Sequence, residues 1–174
     1  MTSVRLARPD EAALLPIVEF DSDQTMRQTA HAYIADNDPL PADHYVAAVA
    51  AGTVWVSVDR RDWPVGFVAC GVQEDGFVIY QLSVVRAAQK QGRGAALMAT
   101  AIDWACQNGQ PRAMLTTFRD VVFNAPFYRR LGFTEVEAAD EPTSLRHMLD
   151  RETALGHDRT KRVGMMMTLG TARV

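Results

Sequence analysis

Gln89 to Leu97 reads QKQGRGAAL. Two glycines, Gly92 and Gly94, and two cations, Lys90 and Arg93, sit between the apolar run FVIYQLSVV (Phe77 to Val85) and a segment in which Leu97, Met98, Ala101, Ile102 and Ala105 recur at helical spacing. A strand followed at once by a glycine turn and a helix N-terminus aims free backbone N–H groups and the positive end of the helix dipole at one place. The ligand such donors favour is a phosphate or pyrophosphate. Glycine at 92 and 94 lets ligand oxygens approach the backbone without a Cβ in the way. The pattern is neither GxxxxGK-Ser/Thr nor GxGxxG, so the nucleoside-triphosphate loop and the dinucleotide fingerprint both lose support.

The charge distribution has two poles. Residues 1–50 hold eight acids against three arginines, a net of −5, whereas residues 86–130 hold seven Lys or Arg against two Asp, a net of +5. An anion at the basic segment and a cation at the acidic one is the sharper reading; ordinary solvated surface is the plainer one. The overall net charge of −3 argues against a general nucleic-acid binder. No secretory h-region opens the chain and no stretch approaches the roughly 20 apolar residues of a membrane span, so a cytoplasmic protein without a membrane partner is expected. Cys70 and Cys106 lie in apolar contexts and read as buried small hydrophobes. His31, His44, His147 and His157 read as surface histidines; they form no spaced pair, so no metal is expected.

The elements that must position the turn follow from periodicity. With 174 residues, 48% of them hydrophobic, the chain is most simply one domain, residues 1–174. Val4 to Arg8 alternates like an opening strand, and Pro9-Asp10-Glu11 starts a short amphipathic helix through Leu14, Leu15 and Val18 that Pro16 disturbs. Asp21 to Asp43 is polar and reads as a mobile cover over a site, before a second helical piece ending at Gly52. TVWVSVD, VGFVACGV and FVIYQLSVV then predict a three-stranded antiparallel meander, the third strand apolar on both faces and therefore central. AMLTT (Ala113 to Thr117) should lie parallel to that strand after a right-handed crossover. NAPFYRRLGF (Asn124 to Phe133) predicts a compact helix with Asn124 as N-cap, Phe127 and Leu131 on its buried face, and a left-handed cap at Gly132. Thr134 to Glu137, Ser144 to Leu155 and Val163 to Leu169 complete the pattern as strand, helix and strand, with the Met165-Met166-Met167 run as packing.

LSVVRAAQKQGRGAAL resembles the signature segment of the GNAT N-acetyltransferase superfamily, a strand reading L-x-V followed by a Q/R-x-x-G-x-G/A turn; Gln89, Gly92 and Gly94 stand in register from Val84. NAPFYRRLGF is similar to the family's second signature, N-x-x-x-Y-x-x-x-G-F, at Asn124, Tyr128, Gly132 and Phe133. The order of elements matches too, so the resemblance spans residues 3–169. It implies an α/β (α+β) GNAT fold: a central mixed, mostly antiparallel sheet of about six to seven strands flanked by helices, with parallel strands splayed at an acetyl-CoA site. Two departures stand in the turn: Arg86 where many members have Pro, and Ala88 where an aromatic is common. Neither removes a backbone donor.

What the resemblance implies for the site is specific. Backbone N–H groups at Gln89, Gly92, Gly94 and Ala95 would hold the pyrophosphate, and the backbone at Leu82 and Val84 would bond the pantetheine arm. Asn124 would divide its role between N-cap and cofactor. Val84 N–H would polarise the thioester carbonyl, and Tyr128 would protonate the departing thiolate, a task suited to a phenol with a pKa of about 10. The family's usual strand Glu is missing, because that place reads IYQLSV; Tyr80, Gln81 and Ser83 acting through water, or Glu19, Asp21 or Asp23, are the candidate bases. Acids near the acceptor favour a primary amine on a small cationic molecule. Acetylation of a peptide N-terminus or lysine is the alternative, and a non-catalytic CoA-binding module a third. Homodimer contact through the 144–155 helix is left open.

Overall fold

The computed structural model of the chain describes residues 3–170. Seven strands are hydrogen-bonded in the order β1-β2-β3-β4-β5-β7-β6: Ser3–Leu6, Val54–Val58, Pro64–Gln73, Gly76–Val84, Arg112–Phe118, then β7 Arg162–Thr168 and β6 Thr134–Glu135. Five α-helices accompany them, α1 Leu15–Asp23, α2 Asp43–Ala50, α3 Arg93–Gln107, α4 Ala125–Arg130 and α5 Thr143–Ala154. The contacts divide the chain into two compact units. One takes the chain up to Cys70 with Gln81–Asp103, the other Gly71–Tyr80 with the chain from Trp104 on.

In the first unit the β-branched runs pair as their alternation demands. β1 and β2 are antiparallel from Ser3↔Val58 to Leu6↔Trp55, and β2 and β3 from Val54↔Ala69, with a bulge at Ser57/Val58. All five residues of β2 are buried, so its polar Ser57 needs a partner, which Arg93 supplies. Leu15, Val18, Tyr45 and Val49 from α1 and α2 pack on Val54, Val56, Val58 and Phe67 to form this unit's core. The opening helix is split. Pro16 has no N–H to give to Ala12, so Pro9–Leu14 winds as a 3-10 helix and α1 begins at Leu15 with the proline in its first turn. Asp21 to Asp43, expected as a mobile cover, forms the end of α1 and two 3-10 helices, Gln24–Gln28 and Ala32–Asp36, with Met26, His31 and Ala35 buried. The burial of His31 corrects the expectation of a surface histidine.

In the second unit β4 and β5 are parallel, but only Phe77↔Ala113 and Val78↔Met114 pair. β4 continues to Val84 and β5 to Phe118, so the two strands carry long stretches beyond the last rung of their ladder. β5 pairs with β7 through seven antiparallel positions, Arg112↔Thr168 to Phe118↔Arg162, and β6 adds a two-residue edge. Val78, Met114 and Leu145 are buried together here, with Met166 packed against them.

β4 can start where it does because residue 76 is glycine. Its φ is +147°, and an added Cβ would lie 2.7 Å from Arg112 Cγ and 2.9 Å from the Arg112 carbonyl oxygen. Gly76→Ala should therefore destabilise the protein by about 2 kcal/mol, through backbone strain plus a clash with a strand that cannot give way. Urea unfolding checks this: the midpoint should fall with little change in slope.

Candidate active site

The end of β4 and the turn into α3 lie in the first unit, with Leu82, Val84, Gln89, Gly92, Gly94 and Ala95 all on this stretch. Val84 and Arg86–Ala88 lead through a 3-10 turn to Lys90 and Gly92, both with positive φ, +58° and +77°. A Cβ built on Gly92 meets nothing within 4 Å, so this point faces open space and needs glycine for its φ alone. The first backbone bond closing α3 runs from Ala96 N–H to Gly92 O, 3.0 Å, and the N–H groups of Gly92, Arg93, Gly94 and Ala95 have no acceptor among the described residues. Four donors at a helix start, beside an open glycine, fit a pyrophosphate.

Gln89 serves the turn differently from its neighbours. Its N–H is engaged with Arg86 O at 3.3 Å, and its side-chain Nε2 donates to Val84 O at 2.9 Å and Thr25 Oγ1 at 3.1 Å. The side chain thus clamps the strand end against the turn. Arg93 is likewise a strut: its guanidinium donates to Ser57 Oγ at 2.8 Å and Val58 O at 3.0 Å, leaving a buried Nε without a partner. Of the two cations that made the turn look basic, Arg93 is spent on β2. Its inward course carried no sequence signal.

The α1 segment is tied to the same stretch at three points. Asp21 accepts from Arg86 N–H at 2.6 Å and from its guanidinium at 2.9 and 3.2 Å. Ser22 Oγ lies 3.4 Å from Val84 N, and Thr25 meets Gln89 as above. Sequence reasoning missed Ser22 and Thr25, since a hydroxyl in a polar run is unremarkable until its partner is placed. The three acids named as bases divide sharply. Glu19 is buried, accepts from Tyr45 OH at 2.6 Å and Leu40 N–H at 3.3 Å, and burial still leaves its carboxyl above the usual range. Burial also opposes ionisation of Asp21, but its bonds to Arg86 outweigh that and hold it below the usual range. Asp23 has no such partner; burial, with the charge of Glu19, pushes its carboxyl up to about 7.

Tyr128 and Asn124 lie in the second unit, on α4. Asn124 holds the N-cap position, but its side chain makes no cap bond; its carbonyl accepts from Phe127 and Tyr128 N–H at 2.8 and 3.1 Å. Gly132, φ +99°, ends the helix: Phe133 N–H bonds Tyr128 O and Gly132 N–H bonds Arg129 O, with the Tyr128 and Phe133 rings 6.1 Å apart. This cap fixes the ring of Tyr128 at one side, and Phe127, 5.1 Å away, fixes it at another. The buried residues are Ala125 and Phe133, while Phe127 and Leu131 are only half-buried, because so short a helix buries its ends more than a stripe. Tyr80 occupies the place of the missing strand acid, and its hydroxyl accepts from Gln73 Nε2 at 2.5 Å.

The raised carboxyl of Asp23 has a stability consequence. Its ordinary value is 3.8 and its folded value about 7, so the fold binds the proton more tightly than the unfolded chain and loses stability as pH rises through that window. Asp23→Asn should match the wild type near pH 4 and exceed it in Tm by ~5 °C at pH 8, measured by thermal melts across pH.

Among the described residues no helix is long and apolar enough to cross a membrane. The PaiA N-acetyltransferase of Thermoplasma acidophilum, solved in complex with coenzyme A, has the same fold, with a TM-score of 0.71 at 12% identity over 97% of this chain and 99% of that one. The ribosomal-protein-S18-alanine N-acetyltransferase of Escherichia coli gives 0.68 at 18% identity, over 99% and 97% of the two chains. The N-acetylglutamate synthase of Neisseria gonorrhoeae, complexed with coenzyme A and N-acetyl-glutamate, gives 0.69 at 16% identity, over 98% of this chain and 35% of that longer one. The sequence pattern of the Acetyltransferase (GNAT) family matches residues 17–133, a span that takes in most of α1, the glycine turn and the α4 cap. The chain therefore belongs to the GNAT acetyltransferase family.

Proposed function

We propose that this chain acts as one catalytic domain, an acetyl-CoA-dependent N-acetyltransferase that moves an acetyl group by direct attack to the primary amine of a small cationic molecule. The observation that carries the reading is the row of N–H groups at the start of α3, Gly92 to Ala95, that have no acceptor among the described residues, beside a Gly92 that borders open space. Those donors would take the pyrophosphate, with Gln89 holding the turn in place; the backbone at Leu82 and Val84 would hold the pantetheine arm, and Asn124 would add a polar contact. Acetyl-CoA supplies the activated acyl group as a thioester.

The chain's own residues do the rest. Val84 N–H donates to the Ser22 hydroxyl at the long distance of 3.4 Å, and an oxyanion is a far stronger acceptor, so this donor would be available for charge developing on the carbonyl oxygen. Tyr128 would give its phenolic proton to the leaving sulfur. Asp23, which has no ion pair among the described residues, and the acidic balance of the N-terminal segment around it favour a cationic acceptor. With Cys70 and Cys106 both free thiols, we place the enzyme in the cytoplasm. A second reading, transfer to a peptide N-terminus or lysine, draws support from an apolar groove of about 190 Å³ in the first unit, lined by Leu14, Ile17, Trp63 and Val85 among others, which suits an apolar side chain better than a polyamine.

Thiol release from acetyl-CoA tests this across 1,4-diaminobutane, spermidine, glucosamine and short peptides with free N-termini. Diamines should turn over fastest, and Tyr128→Phe should lower kcat about a hundredfold with KM for acetyl-CoA little changed. Preference for peptides would select the second reading, an unchanged Tyr128→Phe would remove the general acid, and no thiol release with any acceptor would overturn the enzyme.

A further inference from the structure

We infer that Asp23 is the general base of the transfer, the group that takes the proton from the acceptor ammonium; this rests on the functional reading above. The other candidates are committed. Tyr80 accepts from Gln73, and Ser83 is buried and accepts from Gln81 Nε2 at 3.0 Å. Glu19 is bonded to Tyr45 and Leu40, and Asp21 is locked on Arg86 by three bonds. Asp23 alone of the three acids on α1 has no hydrogen bond or ion pair among the described residues, and it makes no cap bond to the 3-10 helix it precedes.

Its place is set by its neighbours. Ser22 accepts from Val84 N–H at 3.4 Å and Thr25 accepts from the Gln89 amide at 3.1 Å, so the backbone of Asp23 and Gln24, the two residues between them, is tethered on both sides to the end of β4 and the turn. A half-buried carboxylate with no hydrogen-bond partner among the described residues costs stability. Burial and Glu19 bring it to about 7, the value at which a base is both ionised and able to take a proton at neutral pH. The titratable groups acting on it are Glu19 of its own helix and Tyr45 of α2; on the adjoining 3-10 helices Arg27 and Asp36 pair with each other at 2.8 Å, so that cation is already neutralised.

The step balances. Asp23 accepts one proton from R–NH3+, and the freed nitrogen lone pair bonds to the thioester carbon as the C–S bond breaks. In the functional reading above Tyr128 would pass its phenolic proton to the sulfur and its phenolate would recover the second nitrogen proton, and Asp23 releases its proton to water. The sum is ammonium plus thioester giving amide, thiol and one proton.

The test follows kcat/KM against pH for wild type, Asp23→Asn and Asp23→Glu, with 1,4-diaminobutane and a free-N-terminus tetrapeptide as acceptors, beside the thermal shift each variant shows on adding coenzyme A. The wild type should gain activity through an apparent pKa near 7. Asp23→Asn should lose that limb and about a hundredfold in rate at pH 7, Asp23→Glu should restore part of both, and all three should keep the coenzyme-A shift. An Asp23→Asn enzyme that keeps the rising limb overturns the assignment while leaving the acetyltransferase reading intact, and one that loses the coenzyme-A shift makes Asp23 structural. A wild type that acetylates neither acceptor overturns the functional reading and the base with it.

Discussion

The first turn of a helix has peptide donors with nothing inside the helix to receive them, and here that deficit is placed one short turn after β4, with no acceptor for it among the described residues. Much of the first unit is arranged to keep it so. Positive φ at Lys90 and Gly92 turns the chain into the helix start, where the donors of Gly92 to Ala95 have no acceptor among the described residues. Gln89 clamps the turn to Val84 O, and Arg93 ties the helix start to β2 through Ser57 and Val58. A guanidinium with a buried Nε that has no partner among the described residues is an expensive strut. Its presence says that the position of the helix start matters more than the cost of fixing it.

The acids of α1 are the second consequence. Asp21 and Ser22 of this helix, with Thr25 of the 3-10 helix after it, dock on the strand end and the turn, so the segment that carries negative charge is held against the candidate site. Three carboxylates on one short helix then acquire three chemistries from their surroundings. Burial with hydrogen bonds makes Glu19 structural, an arginine makes Asp21 a fixed anion, and burial beside a like charge makes Asp23 a group that titrates near neutrality. Composition shows only an acidic N-terminal segment; partners turn it into distinct functions.

Much of this was legible beforehand. The meander, the central place of the Phe77–Val85 strand, the parallel β5 and the glycine cap of α4 all follow from local rules of alternation, turn chemistry and capping, which act over a few residues and so survive in a bare sequence. What was not legible depended on contacts distant along the chain. Arg93 reads as a solvated cation until Ser57 is seen beside it, thirty-six residues away. Asp21–Asp43 reads as cover because it is polar, yet Met26 and Ala35 of its 3-10 helices, and His31 between them, are buried. The half-burial of Phe127 and Leu131 shows the other limit: a periodicity argument needs more than the six residues of α4 to choose a face.

The claim beneath all of this is that the row of donors exists to hold a pyrophosphate. Isothermal titration of the purified protein with acetyl-CoA, set beside Gly92→Asp, tests it most directly. The account predicts one site per chain in the wild type and at least a tenfold loss of affinity in Gly92→Asp, whose circular dichroism should remain that of a folded protein. Absence of binding by well-folded wild type, or equal affinity with aspartate at position 92, would contradict it.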